Sequence, residues 1–341
     1  MLSATLSQLL PFLFFLSFSA TVVDCRISGA FVLPHGGIAL NPSRFDSRSK
    51  WAKEWAWKIH KSAVEVGSYI RNSRPDLILL STPHGVADLK NFMLYLNARG
   101  NGTAVTDNCR CPPCCYDVDV KIDAGVSQDL VRNLSAAGFN VSGLTFFGPP
   151  GQAQEPGILK WGEVIPLLFI KDVGHAKLVI ISHPSRRYDH SVEMIPELLT
   201  MGELLYQRLE SLPLNVVVIV SADLAHTHDP LGPYGFSPAA EPFDRNCGLW
   251  AASLHPDYLL KKAKEYAPAA KSCGYTGLVM LHGLMKEGKL TSWIPVLHAN
   301  YHPSYYGMMV ASFTRKSVST LSQEITCPNC TPFKYRQKVG R

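Results

Sequence analysis

The run Val216-Val217-Val218-Ile219-Val220, ending abruptly in Ser221-Ala222-Asp223-Leu224-Ala225-His226, constrains this chain more than any other stretch. Five β-branched residues in a row leave no polar face, so residues 215 to 221 read as a strand buried on both sides, the kind found in parallel sheets covered by helices. Its carboxyl end carries Asp223, His226 and His228, then Asp229-Pro230. Open α/β sheets place ligands and chemistry at that end of their strands. A capped turn, with Ser221 and Asp223 bonded to backbone, accounts for the same residues. This stretch alone does not separate the two readings.

Two further strand ends favour chemistry. Arg26 to Leu33 reads as a strand that stops at Pro34-His35-Gly36-Gly37. Asp76 to Ser81, opened by Pro75, reads as a strand that stops at Thr82-Pro83-His84-Gly85. Between them Trp51, Trp55, Ile59, Ala63 and Val66 recur near every fourth position, an amphipathic helix with Ser47 or Ser49 as its cap. Strands alternating with helices predict a largely parallel sheet. Both His-Gly turns then fall at one edge, where His35 and His84 can converge. A glycine after each histidine lets the backbone turn sharply and leaves room for a ligand.

The rest of the chain continues the alternation. Helices are predicted over 126–137, 192–209 (regular from Pro196), 244–264 and 275–285. Strands are predicted over 143–147, 164–170, 176–182, 293–297 and 308–313, whereas 86–118 is irregular. The expectation is a single α/β domain over residues 26–315, with a central, mostly parallel or mixed sheet flanked by helices. A chain of 341 residues, 46% of them hydrophobic, can fill such a core.

The N-terminus points to secretion. Leu9 to Phe18 is an apolar run of signal-peptide length, about 7–15 residues, well short of the roughly 20 that span a bilayer. Cleavage is expected after Ser19 or Cys25, giving a leader over 1–25. No Lys or Arg precedes the run, so a retained anchor is the alternative. Sequons at Asn101, Asn133, Asn140 and Asn329 fit a glycoprotein of the secretory lumen or the exterior. Of nine cysteines, eight remain for disulfides if Cys25 is removed. Cys109, Cys111, Cys114 and Cys115 suit a zinc ion or, in an oxidising compartment, a disulfide-locked loop in which adjacent Cys114 and Cys115 take different partners. Residues 316–341 form a basic tail with Cys327-Pro328-Asn329-Cys330, poor redox machinery without a following helix. The net charge of +6 forms no stripe and accompanies no nucleic-acid motif.

Histidines joined by a carboxylate or thiolate suit iron, copper or zinc. A lone histidine is more often a hydrogen-bonded core or surface group. Three at the polar ends of apolar strands indicate a shared site.

Leu33-Pro34-His35-Gly36-Gly37, Ser81-Thr82-Pro83-His84-Gly85 and Ser221 to His226 resemble the ordered motifs of the class III extradiol dioxygenase superfamily, catalytic B-subunit type, which includes the Memo proteins. Pro230 to Pro238, Phe243-Asp244 and the closing segment Tyr301 to Phe313 resemble its uncharacterised bacterial branch. The resemblance implies Fe(II) held by two histidines and a glutamate, with O2 and a catechol-like small aromatic substrate as partners. From charge and leader, no nucleic acid and, once the leader is gone, no membrane is expected, and a homo-oligomer stays open. His35 and His84 match the metal histidines. His226 matches the acid–base histidine, and Asp223 orients it or approaches the metal. His228 and Tyr234 are candidates for binding substrate.

Two departures qualify this. Where the family carries its glutamate, this chain has Lys271-Ser272-Cys273-Gly274. Memo proteins resemble it there and use the cysteine as a ligand. Cys273 is therefore the third-ligand candidate, its thiolate favouring copper or zinc over iron, unless it is a disulfide partner or an inert thiol. Ring-cleaving members also carry a histidine in an Asp-His-Gly turn. Here Leu159-Lys160-Trp161-Gly162 lacks it, with His183 or His228 as nearby substitutes. Two functions are thus expected: a secreted metal-dependent extradiol-type oxidoreductase, or a non-catalytic, Memo-like protein binding copper or a peptide in the same cleft.

Overall fold

The β-branched run at 216–220 lies between two parallel neighbours and under helices on both faces. The computed structural model describes residues 26–316 apart from 108 and 150–154. The expected leader and the basic tail from residue 317, with Cys327, Asn329 and Cys330, lie outside the described residues. Strands in chain order are β1 (Ile27–Leu33), β2 (Leu77–Thr82), β3 (Phe92–Tyr95), β4 (Arg99–Val105), β5 (Cys115–Lys121), β6 (Val141–Leu144), β7 (Gly157–Leu159), β8 (Lys177–Ser182), β9 (Val216–Ser221), β10 (Trp293–Tyr301) and β11 (Met308–Arg315). Helices are α1 (Lys50–Asn72), α2 (Ala124–Ala136), α3 (Trp161–Ile170), α4 (Arg187–His190), α5 (Ile195–Glu210), α6 (Ala240–Ser253), α7 (Lys264–Ala270) and α8 (Tyr275–Glu287). Among the described residues no helix is long and apolar enough to cross a membrane.

The main sheet runs β10-β11-β1-β9-β2-β8-β3-β6. It is mixed: β1, β9, β2 and β8 are parallel, whereas β11 and β3 join antiparallel. Side chains alternate across a strand. Val216, Val218 and Val220 therefore enter the core with α5, α6 and α8, and Val217 and Ile219 the core with α1 and α3. Register does the rest. Leu33 pairs with Ser221, and Ser81 with Val220, so β1, β2 and β9 end level.

Several expectations are corrected. Residues 164–170 are not a strand but most of α3; an apolar run of seven fits a helix buried nearly all round as well as a strand. The predicted helix 244–264 starts earlier, at Ala240, and breaks at Leu254, whose φ is +57°. His255 precedes Pro256, and a residue before proline is disfavoured in the helical region. A π-helical stretch at 258–263 and α7 follow. The irregular 86–118 holds β3, β4 and part of β5, and β5-β4-β7 form a second sheet. On α1 the Ser49 hydroxyl caps the helix as expected, but the buried stripe is Ala52, Ala56, Ile59, Ala63, Val66 and Ile70, and Trp51 is half exposed. Cys109 pairs with Cys114 and Cys111 with Cys115, as different partners for the adjacent pair. Full pairing does not hold: Cys247 and Cys273 are buried free thiols.

Helices α5 and α8 cross backbone to backbone. A Cβ on Gly283 would lie 2.3 Å from the Leu199 carbonyl oxygen, and one on Gly202 2.1 Å from that of Met280. Neither neighbour is a side chain that can swing away. Gly283→Ala is expected to destabilise the fold by about 3 kcal/mol, the upper end of ordinary overpacking. At roughly 2–4 °C per kcal/mol for a chain this large, calorimetry should show a fall in Tm of about 6–12 °C. An unchanged Tm would mean that the crossing is looser than this.

Candidate functional site

Because the three strands end level, the residues just beyond them meet. His35 is buried, and its backbone N–H donates to Asp223 Oδ1 at 3.1 Å. Its Nδ1 is 2.8 Å from Ser221 Oγ. The Ser221 hydroxyl donates to the Gly162 carbonyl at 2.5 Å. That carbonyl has no helical partner of its own, because the residue four on is Pro166, which has no N–H. With its one proton committed, Ser221 must accept from His35, so His35 carries its proton on Nδ1 and a lone pair on Nε2.

Nε2 of His35 faces the Cys273 sulfur at 3.2 Å and Asp223 Oδ2 at 3.4 Å. The His84 ring stands edge-on to the His35 ring, centroids 4.7 Å apart. One donor atom each from His35, His84 and Cys273 lie within 4.8 Å of one another. Burial, then the neighbouring His84, His226 and Arg187, hold His35 well below the usual imidazole range. Burial, helped by Arg187 and His226, brings His84 down to about 3. Both rings are thus neutral at pH 7 with lone pairs to offer. Burial pushes the Cys273 thiol up and the Asp223 carboxyl up to about 8. A bound cation reverses that balance for an anionic donor. The donor set fits a transition metal: two neutral imidazoles, one ring oriented by a hydroxyl, and a free buried thiol.

A cavity of about 210 Å³ opens over His35, His84 and Asp223 and is walled by Asp107, Trp161, His226 and Tyr234, with Tyr305 and Tyr306. An adjoining one of about 440 Å³ shares His84, His226 and Tyr234 and adds Cys273, Tyr188 and Lys271. The metal candidates therefore sit where the two join. A larger cleft of about 500 Å³ along β5 has no histidine or cysteine in its wall. The His226 ring lies near-parallel to that of Tyr306, centroids 6.0 Å apart, with Tyr234 edge-on at 5.8 Å. Burial brings His226 down to about 4, against an opposing pull from the backbone of Leu224 and Lys271.

The structure gathers His35, His84, Cys273, Asp223, His226 and Tyr234 at one place. Asp223 meets His35, with which it shares two contacts, rather than His226. His228 stands apart: its Nε2 pairs with Asp244 Oδ2 at 2.8 Å, and it does not line either cavity. His183 is buried against Ser81, 2.9 Å from its hydroxyl. The glycines after the histidines serve packing: a Cβ on Gly36 would overlap the Tyr306 ring at 2.2 Å, and one on Gly85 would meet Glu163 Oε1 at 2.5 Å. Asn101, Asn133 and Asn140 are exposed.

Four residues in the wall of the smaller cavity escape the sequence reading. Trp161 figures there only as a missing histidine; its ring lies 5.0 Å from that of His84. Tyr305 and Tyr306 precede Gly307, and their pairing before a strand is the available signal. Asp107 comes from beyond β4, beside the disulfide loop, and accepts from the Tyr306 hydroxyl at 2.8 Å. Nothing local marks it.

Residues 29–311 match the family described as the catalytic LigB subunit of aromatic ring-opening dioxygenase. The chain is also similar to Protein CA_C1420 of Clostridium acetobutylicum, 24% identical over 294 residues. That similarity covers 84% of this chain, which spans 58% of the length of that relative.

Proposed function

We propose, on the premise that the chain belongs to the LigB family of aromatic ring-opening dioxygenase catalytic subunits, that it is a non-haem-metal oxidoreductase acting on a catechol-like aromatic diol with O2. We place it in the secretory lumen or outside the cell, where its two loop disulfides would persist. One observation carries the reading: three metal-donor side chains and a neutral histidine gather where two adjoining cavities meet. His35, His84 and Cys273 would hold the metal, which would supply Lewis acidity toward the diol oxygens and redox chemistry with O2. His226, uncharged at pH 7, accepts the proton of a diol hydroxyl at its ring nitrogen and later returns it. Tyr234, Tyr305 and Tyr306 give an aromatic ring faces to pack against, and Trp161 lines the cavity beside His84.

Cys273 supports a second reading. A buried thiol as third donor favours copper or zinc, and a non-catalytic, Memo-like protein would use the same cleft to hold copper or a peptide. Oxygen uptake with a panel of catechols, on protein loaded separately with Fe(II) and copper, tests the first reading. His226→Phe is expected to lower turnover by roughly 10²- to 10⁴-fold while metal content stays constant. Activity is expected to persist on acidification to near pH 4, where His226 gains its proton, rather than fade near 6.5. Metal-loaded protein that consumes no O2 with any catechol would leave the second reading standing.

A further inference from the structure

We propose that the disulfide-stapled loop between β4 and β5 is a selectivity element: through Asp107 it sets a fixed negative charge in the wall of the smaller cavity, so that the site takes uncharged or ammonium-bearing diols and turns away those with a carboxylate on the ring. The inference rests on the diol reading above and names the substrate class that this reading leaves open.

The loop runs from Thr106 to Cys114; Cys109–Cys114 closes it on itself and Cys111–Cys115 ties it to β5. Its first residues press on the turn that follows His35. The buried Thr106 hydroxyl donates to the Gly37 carbonyl at 2.9 Å. A Cβ on Gly37 would overlap Asp107 Oδ1 and lie 2.9 Å from the Val105 carbonyl oxygen, so only glycine admits the loop this closely. Asp107 is thereby fixed beside that turn, and it lines the smaller cavity with His35, His84 and His226.

The partners of Asp107 are donors without charge: the Tyr306 hydroxyl at 2.8 Å and the Gly37 N–H. Burial pushes its carboxyl up, and these two bonds oppose that by favouring the ionised form. An asparagine could serve the same neighbours, accepting from Gly37 and donating to the Tyr306 oxygen, so hydrogen bonding alone does not call for a charge here. The other carboxyl in the wall, Asp223, is turned to His35. Among the described residues no lysine or arginine lines this cavity, whereas the adjoining one carries a group of each sign, Lys271 and Asp189. A ligand carboxylate about 6 Å from Asp107, at an effective dielectric constant of about 20, would weaken binding about 100-fold, and under full water screening still about threefold.

Calorimetry on the Zn(II)-loaded chain, where the metal has no redox chemistry, compares 4,5-dimethylcatechol with 4,5-dihydroxyphthalate. Both are symmetric, so exchanging the two hydroxyls cannot turn a charge away from Asp107. The dicarboxylate is expected to bind roughly 10- to 100-fold more weakly, and Asp107→Asn to narrow that gap by about tenfold while 4,5-dimethylcatechol binds as before. Needing no variant, 4-(aminomethyl)catechol should bind at least about threefold tighter than 4-methylcatechol. Equal binding of the two symmetric diols, a gap that Asp107→Asn leaves unchanged, or an ammonium group that weakens binding would overturn the inference while the diol reading stands. A chain that holds zinc and binds none of the four would remove the diol reading and the inference with it.

Discussion

Replacing His35 by alanine is expected to lower affinity for iron, copper and zinc at the candidate site by well over about 100-fold, since outer partners of a ligand alone are worth roughly 10–100-fold. The fold should survive. The strut between His35 and Asp223 uses the backbone N–H of residue 35, which alanine keeps. What is lost is a preset donor. The missing N–H of Pro166 leaves the Gly162 carbonyl free, that carbonyl takes the Ser221 proton, and Ser221 then holds His35 with its Nε2 lone pair toward Cys273. The chain of contacts yields graded expectations. Ser221→Ala should cost about 10–100-fold, by releasing the ring. Pro166→Ala should cost less, because its new N–H only competes for the carbonyl. Metal content after equilibrium dialysis checks the series, read beside His84→Ala. Wild-type retention by His35→Ala would remove His35 from the ligand set and with it the proposed centre.

The same residues show what a linear sequence discloses. His35, His84 and Asp223 were legible because each ends a continuous apolar run, and such runs in alternation with helices force their ends to one edge. Their partners were less so. Pro166 sits inside a run whose length and composition fit a strand as well as a helix, and only the helix gives its missing N–H a consequence. Asp107, Tyr305 and Tyr306 come from a small second sheet's rim and a turn of the antiparallel edge. Their arrival depends on how those pieces pack, which no local periodicity records. His228 was legible as a functional group but not as to which side of its loop it faces; Asp244, sixteen residues on, decides that.

Cys273→Asp is expected to reverse the metal preference of the candidate site, lowering copper affinity by at least about tenfold while Fe(II) is retained. The backbone that presents residue 273 is held independently of its side chain. The Gly274 N–H donates to the Asp223 carbonyl at 3.0 Å, and the absent Cβ of Gly274 lets the start of α8 approach Ala222, where a Cβ would fall 2.5 Å away. The substitution therefore changes the donor more than its position. A carboxylate is the harder ligand, and the N-terminus of α8 favours an anion of either kind. Competitive loading with copper and Fe(II), followed by metal quantification, reads the outcome. If the oxidoreductase reading holds, the aspartate variant should keep or gain O2 uptake with catechols under Fe(II), whereas a copper carrier should lose its cargo and gain nothing. Should copper stay as tightly bound as in the wild type, the sulfur is not a ligand. Asp223 Oδ2, 3.4 Å from the same histidine nitrogen, then becomes the third donor, and the site reverts to two histidines and a carboxylate.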